Sequence, residues 1–277
     1  MNTPPTTGPW PWPTAMKASL ALHAAAGAAA LLQPAAWPWA LGAVALNHAG
    51  LTAAGLWPRS RVLGPNVTRL PASAGAVWAL TLDDGPDPEV TPRVLDLLDA
   101  HGVKATFFVI ADRARQHGAL LRDTLARGHD VQNHSRHHRH NFSVSGPKAL
   151  FQEISAAQDT LAQLTGQRPH CFRAPAGLRN PLLDPVLHRL NLQLTSWTRR
   201  GFDTRDHHAP RVLNRLTRHL SAGDILLLHD GHAAHNPATG QPLVLDLLPP
   251  LLARCREAGL QAVTLRQALP PRVGLNT

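Results

Sequence analysis

From residue 77 onward, short apolar runs alternate with longer amphipathic ones, and a chain written this way builds a parallel sheet flanked by helices. Residues 77–82 and 105–110 read as strands, 88–100 as a helix with Val90, Val94, Leu97 and Leu98 at helical spacing, and 113–127 as a helix ended by Gly128. Strands near Val131 and Phe172 and at 192–197, 225–228 and 260–263 continue the series, with helices at 148–165, 181–190, 210–220 and 244–258. About seven such units predict a distorted (β/α)7-type barrel rather than a doubly wound sheet, and no GxGxxG or Walker loop follows the first strand.

The chain before residue 77 is of different material. Its first 57 residues carry one charged side chain, Lys17, and five of the seven tryptophans (Trp10, Trp12, Trp37, Trp39 and Trp57), whereas the other 220 hold 26 Lys and Arg against 18 Asp and Glu. This divides the chain into a disordered Pro/Thr-rich lead-in (1–15), a membrane-associated apolar helical hairpin (16–57), a linker (58–75) and the βα domain (76–270). Residues 18–33 and 35–57, separated at Pro34, make helices of roughly 24 and 34 Å against a bilayer core of about 30 Å, so the second can span and the first is short. A transmembrane hairpin, a signal peptide starting at Met16 and Lys17, and a soluble Ala-rich helix pair all fit this stretch. The aromatic skew places the membrane readings ahead, while Asn47 and His48 oppose insertion. Arg59, Arg61 and Arg69 flank the second helix and favour a cytoplasmic location for the βα domain.

Composition narrows the function classes. Cys171 and Cys255 match no disulfide framework, zinc ribbon or redox motif, and read as two buried thiols. The net charge of +9 suits an anionic partner, but the 24 Arg are scattered without a basic run or interleaved aromatics, which argues against nucleic acid.

Four segments at the carboxyl ends of expected strands carry chemistry. TLDDGP at 81–86 puts Asp83 and Asp84 side by side; on a strand they point opposite ways, one free for a metal and one for a water, although alone the pair reads as a turn that caps the next helix. In HSRHH at 134–138, His134 and His138 share a face if the chain turns helically, so that two imidazoles and one carboxylate grip a divalent ion with positions open. The rival ligand choices are His134 with His137 and His137 with His140. RAPAG at 173–177 places Arg173 where it can fix a carboxylate and offers backbone N–H groups to an oxyanion. LLLHD at 226–230 ends in His229, which can protonate a departing amine, and Asp203 or Asp206 can orient it. Each signal alone is weak; together they outweigh a turn, a solvated His/Arg loop and a rim histidine.

These residues, in this order from about 77 to 265, resemble the polysaccharide deacetylase family, the NodB-homology domain of carbohydrate esterase family 4. TLDDGP resembles TFDDGP with Leu82 for Phe, HSRHH matches HSxxH, RAPAG resembles RxPxG, and LLLHD resembles LxLHD; KATFFV at 104–109 and GHDVQNH at 128–134 add similarity. The resemblance implies that 76–270 is a catalytic domain. It further implies Asp83 as general base, Asp84, His134 and His138 as metal ligands, Arg173 as the group orienting Asp83, His229 as general acid, and the backbone N–H of Ala176 at the oxyanion. Zinc is the expected ion, and cobalt or a similar ion also suits such a donor set. The chain departs from the pattern in two places. Ala176 stands where the family has an aromatic groove wall, and DTRDH at 203–207 lacks the Trp of DxxDW, with Asp203 preferred as the partner of His229.

The function expected is metal-dependent removal of an N-acyl group, acetyl first, from an amino sugar in an oligo- or polysaccharide, by a membrane-anchored enzyme. The alternatives are deacylation or deformylation of a lipid-linked amino sugar at the membrane, and a non-catalytic, membrane-anchored carbohydrate-binding module.

Overall fold

A computed structural model describes residues 8–271. Two antiparallel helices, α1 (Thr14–Leu32) and α2 (Trp37–Leu56), form the apolar hairpin. The βα region then runs β1 (Val77–Asp83), α3 (Thr91–Ala100), β2 (Thr106–Val109), α4 (Ala111–Gln116), α5 (Gly118–Ala126), β3 (Asp130–Asn133), α6 (Pro147–Thr165), β4 (Cys171–Phe172), α7 (Leu183–Arg189), β5 (Gln193–Leu194), β6 (Arg199–Arg200), α8 (Ala209–Thr217), β7 (Ile225–His229), α9 (Leu243–Glu257), β8 (Gln261–Ala262) and α10 (Leu265–Ala268).

Seven parallel strands lie in the order β5-β4-β3-β2-β1-β7-β6, and β8 pairs with the start of β1 through Val77 and Gln261. The ends of this path, β5 and β6, do not pair with each other, so the barrel is open on one side. β1 is buried along its whole length, consistent with its apolar run and its place between β2 and β7. Leu80, Leu82, Phe107, Leu226 and Leu228 pack against α3 and α9 through Val94, Leu95, Leu98, Leu248 and Leu252 in the largest core cluster. Register sets up the chemistry: Asp83 pairs with His229 across β1 and β7, and Asn133 pairs with Phe172 across β3 and β4, so the residues just past these strands meet at one end of the sheet.

Several elements differ from the sequence expectation. The helix expected at 113–127 is two helices, because His117 leaves helical geometry between them (φ −122°, ψ 43°). The strand expected at 192–197 shrinks to Gln193–Leu194, and the two-residue β6 lies beyond it; neither is long enough to show a period. The 58–75 segment is no free linker. Leu63 and Leu70 are buried, Asn66 donates to the Pro58 and Ser60 carbonyls, and Val67 bridges to Thr195. The lead-in of 1–15 falls partly outside the described residues; the part inside them lies against α7, with the Trp10 indole donating to Asp184 at 2.8 Å. Both cysteines are buried free thiols.

Within the hairpin, α1 is the one described helix long and apolar enough to cross a membrane, a property it shares with signal sequences. The sequence pointed to the second segment instead. The difference lies at both ends of the comparison: α1 begins at Thr14 and gains length, while Asn47 and His48 lower the hydropathy of α2. Those two polar side chains face α1, where Asn47 donates to Ser19 Oγ at 2.9 Å and the His23 and His48 rings approach to 3.1 Å.

Candidate active site

Asp83 is the last residue of β1, and Asp84 leaves the strand with a left-handed φ of 72°. That turn overrides the strand alternation expected of adjacent side chains. Both carboxylates therefore face the same ring, with His134 Nε2 3.8 Å from Asp83 Oδ2 and 3.3 Å from Asp84 Oδ1.

His134 and His138 do converge, but not on a helix. The segment after β3 is a bent loop in which Ser135 and His138 take positive φ (69° and 55°). Asn133 Oδ1 accepts from the Ser135 N–H, and Ser135 Oγ accepts from the His138 N–H, so short side chains fold the loop back on itself. The result places His138 Nε2 3.3 Å from Asp84 Oδ1, the same oxygen that His134 approaches. His134 is fixed from behind, its Nδ1 bonded to the Arg173 carbonyl at 2.9 Å, which directs Nε2 toward Asp84. The rival ligand His137 is turned away and engaged by Glu153 at 2.7 Å, and His140 lies exposed outside the cluster.

One ligand atom from each of Asp84, His134 and His138 lies within 4.8 Å of the others. Asp84 Oδ1 is buried and has no hydrogen-bond partner, an arrangement that costs free energy unless a cation completes it. Burial alone would raise the Asp84 pKa, but the nearby rings of His134 and His232 and the charge of His138 hold it well below the usual carboxylate range. Burial and the charge of His134 push His138 down to about 4, leaving its ring neutral and able to ligate. Burial would lower His134 too, yet Asp83 and Asp84 outweigh it and raise it: two carboxylates at this spot call for a positive charge. The donor set fits a divalent metal with open positions.

Asp83 is held from the other side. Arg173, 1% exposed, donates to Asp83 Oδ1 at 2.6 Å, to Thr81 Oγ1 at 2.9 Å and to the carbonyls of Thr195 and Ser196, with its guanidinium 4.0 Å from the Phe108 ring centroid. His229 closes the group. Its Nδ1 is 2.9 Å from Asp203 Oδ1 and its backbone N–H donates to Asp203 Oδ2, which leaves Nε2 for other work. Burial would lower the His229 pKa, but the Asp203 carboxylate overrides it and raises the ring to about 9. Asp206 does not reach His229; it pairs with Arg211 at 2.9 Å and Arg215 at 2.7 Å. Ala176 sits exposed at the crest of its loop with φ 55°.

Comparison with known proteins bears on the family and the fold. Residues 72–195 match the family model described as polysaccharide deacetylase. The chain is 34% identical over 174 residues to a chitooligosaccharide deacetylase of Azorhizobium caulinodans, covering 61% of this chain and 80% of that one. The chain belongs to the polysaccharide deacetylase family. It is 31% identical to a peptidoglycan-N-acetylglucosamine deacetylase of Bacillus cereus over 70% of its own length and 88% of the relative's. Among solved structures, a peptidoglycan N-acetylglucosamine deacetylase superposes with a TM-score of 0.66 at 26% identity, covering 73% of this chain and 92% of that one. The polysaccharide deacetylase family is a group of hydrolases acting on carbon–nitrogen bonds other than peptide bonds, and this chain is one of them.

Sequence reading missed one residue of this deacetylase site. His232, also at positive φ (58°), stands with Nδ1 3.4 Å from Asp84 Oδ2, and Arg113 approaches its Nε2 at 2.7 Å while donating to the Asp84 carbonyl. Arginine only donates, so Nε2 accepts and the proton of His232 sits on Nδ1, aimed at Asp84. The signal was there as a second histidine three residues after His229, but nothing local said that the loop would return to β1.

Proposed function

We propose that this chain is a metal-dependent N-deacetylase of an amino sugar, with residues 76–270 as its catalytic domain and the apolar hairpin as a membrane anchor. One observation carries the reading: a three-donor cluster around a buried, unpartnered carboxylate oxygen lies beside a carboxylate clamped by Arg173, itself across one strand pair from an Asp203-held histidine. The relatives named above act on N-acetylated sugars, and the intact acid, base and ligand set argues against a purely sugar-binding module.

A divalent ion at Asp84, His134 and His138, with zinc the first candidate, would polarise the acyl oxygen and acidify water. Asp83 accepts the proton of the attacking water, and Arg173 keeps the receiving oxygen in place. The new carbon–oxygen bond forms as the acyl oxygen gains charge, which the backbone N–H of Ala176 would stabilise. His229 then gives its Nε2 proton to the nitrogen as the carbon–nitrogen bond breaks, releasing acetate and the free amine.

The experiment that tests this is amine release from N-acetylglucosamine oligomers by the full chain with and without zinc, where no release in either case overturns the reading. The same geometry sets two further outcomes. A His229 held near pKa 9 stays protonated through neutral pH, so kcat is expected to fall only above about pH 9. Asp203→Asn removes the raising charge and should move that alkaline limb down by two or more pH units; a limb that stays put would mean another group supplies the proton. The stability linkage has the same sign: the contribution is complete below the unfolded value near 6.5 and is lost as pH rises through about 9. His232→Ala should weaken zinc binding by about 10–100-fold in a chelator competition, the usual effect of losing a group that orients a ligand. Unchanged affinity would make that ring a bystander.

A further inference from the structure

The hairpin is not tethered at a distance from the active site; its end is built into the rim. The Arg179 N–H donates to the Gly55 carbonyl at 3.1 Å, and Gly177 lies so close against Pro58 and Trp197 that any side chain there would collide with both. Ser196 Oγ donates to the Pro58 carbonyl at 2.7 Å, and Arg59 donates to the Thr198 carbonyl at 3.0 Å. Ser196 in turn accepts from Arg173, which holds Asp83, so a short hydrogen-bonded chain joins Pro58, just past the end of α2, to the reacting carboxylate. Outside this junction the hairpin presents apolar side chains, among them Leu31, Leu32, Trp37, Trp39, Leu46 and Trp57, each at least 60% exposed. A lipid bilayer is the partner with which such a surface is at equilibrium, because one of its helices has the length and apolarity to cross and Asn47 with Ser19, and His23 with His48, pair across the two helices.

A second feature lies on the same rim. A cleft of about 600 Å³ opens beside Asp203, lined by Phe202, Arg205, His207, His208, Arg211 and Arg215. Asp206, also in the lining, pairs with Arg211 and Arg215 and so offsets only part of the charge of the three arginines there. Arg200 links the two features. Its guanidinium lies 5.3 Å from the Trp197 ring, which packs at the hairpin end, and 5.1 Å from the Phe202 ring, which lines the cleft; its Nε is buried with no hydrogen-bond partner. An anion is the ligand that such a cationic cleft would recognise, and phosphate is the anion that arginines grip best through paired N–H groups.

We propose that the substrate of this chain is a membrane-borne amino sugar joined to its lipid through a phosphate-type linkage, with the N-acyl group at Asp83 and His229, the anion in the Arg205–Arg215 cleft and the lipid along the hairpin. This rests on the deacetylase reading above and names its substrate class. The chemistry is the same amide hydrolysis, with water as co-reactant and a carboxylate and an amine as products. What changes is delivery: the sugar arrives from the bilayer surface rather than as a soluble chain.

The test uses the full chain in phosphatidylcholine vesicles, whose headgroups carry no net charge, and four probes: N-acetylglucosamine 1-(dodecyl phosphate), the neutral dodecyl glycoside, N-acetylglucosamine 1-phosphate and chitotriose. The dodecyl phosphate should give the highest kcat/KM, at least about 100-fold above the tail-less phosphate for the buried alkyl chain, and about 10–100-fold above the neutral glycoside for the charged contacts. Arg205→Ala should cut the rate on the dodecyl phosphate about tenfold while leaving the Asp83 and His229 geometry untouched in a crystal structure. Equal or faster turnover of chitotriose or of the neutral glycoside overturns the inference and leaves the deacetylase reading standing. Absence of amine release from all four overturns that reading itself.

Discussion

Asp83→Asn is expected to lower kcat on any N-acetylated amino sugar by about 10²–10⁴-fold while the protein still binds one zinc ion. The substitution keeps the shape of the side chain, so Arg173 can still donate to Oδ1, but the amide cannot accept a proton from water. Metal binding should survive because the ligand cluster comprises Asp84, His134 and His138 and does not include Asp83. The measurement pairs amine release with metal stoichiometry on the same preparation. Activity within a few-fold of wild type would remove Asp83 from its role; loss of zinc together with activity would place Asp83 among the ligands.

The second large effect concerns folding. Arg173→Met should destabilise the protein by about 3–5 kcal/mol, because it removes one member of a fully buried ion pair and leaves Asp83 charged in a low-dielectric site. For a chain of this size that corresponds to a fall in Tm of roughly 6–20 °C. Replacing both partners, Arg173→Met with Asp83→Asn, should recover a large part of the loss, since the double variant no longer buries an unpaired charge. A double variant no more stable than Arg173→Met alone would show that the arginine acts through packing on Phe108 and its carbonyl partners instead. Activity should be lost in both, which separates the stability role of the pair from its catalytic one.

How far the sequence reached can be judged from particular residues. The apolar run 77–82 and the His and Asp at its neighbours' ends were legible because parallel strands bury both faces and stop where the polar residues begin. Convergence of His134 and His138 was legible from their types and order, but the reason offered for it was not the one that operates: a helical turn was expected, and positive φ at Ser135 and His138 brings the rings together instead. No local pattern announces a left-handed histidine. Asp84 shows the same limit, since alternation along a strand predicts opposed carboxylates and the strand ends one residue too early for the rule to apply. The edge strands β5 and β6, two residues each, are made by their neighbours rather than by their own sequence. Asn47 and His48 illustrate the converse, where residues read as obstacles to insertion are partners of Ser19 and His23 across the hairpin.

Those cross-helix contacts bear on how the hairpin holds together. Two helices whose polar side chains satisfy one another lose those bonds if they part, and each side chain must then find water or another partner. Parting the helices would orphan Asn47 and Ser19 and separate the His23 and His48 rings, so the hairpin holds together as one unit.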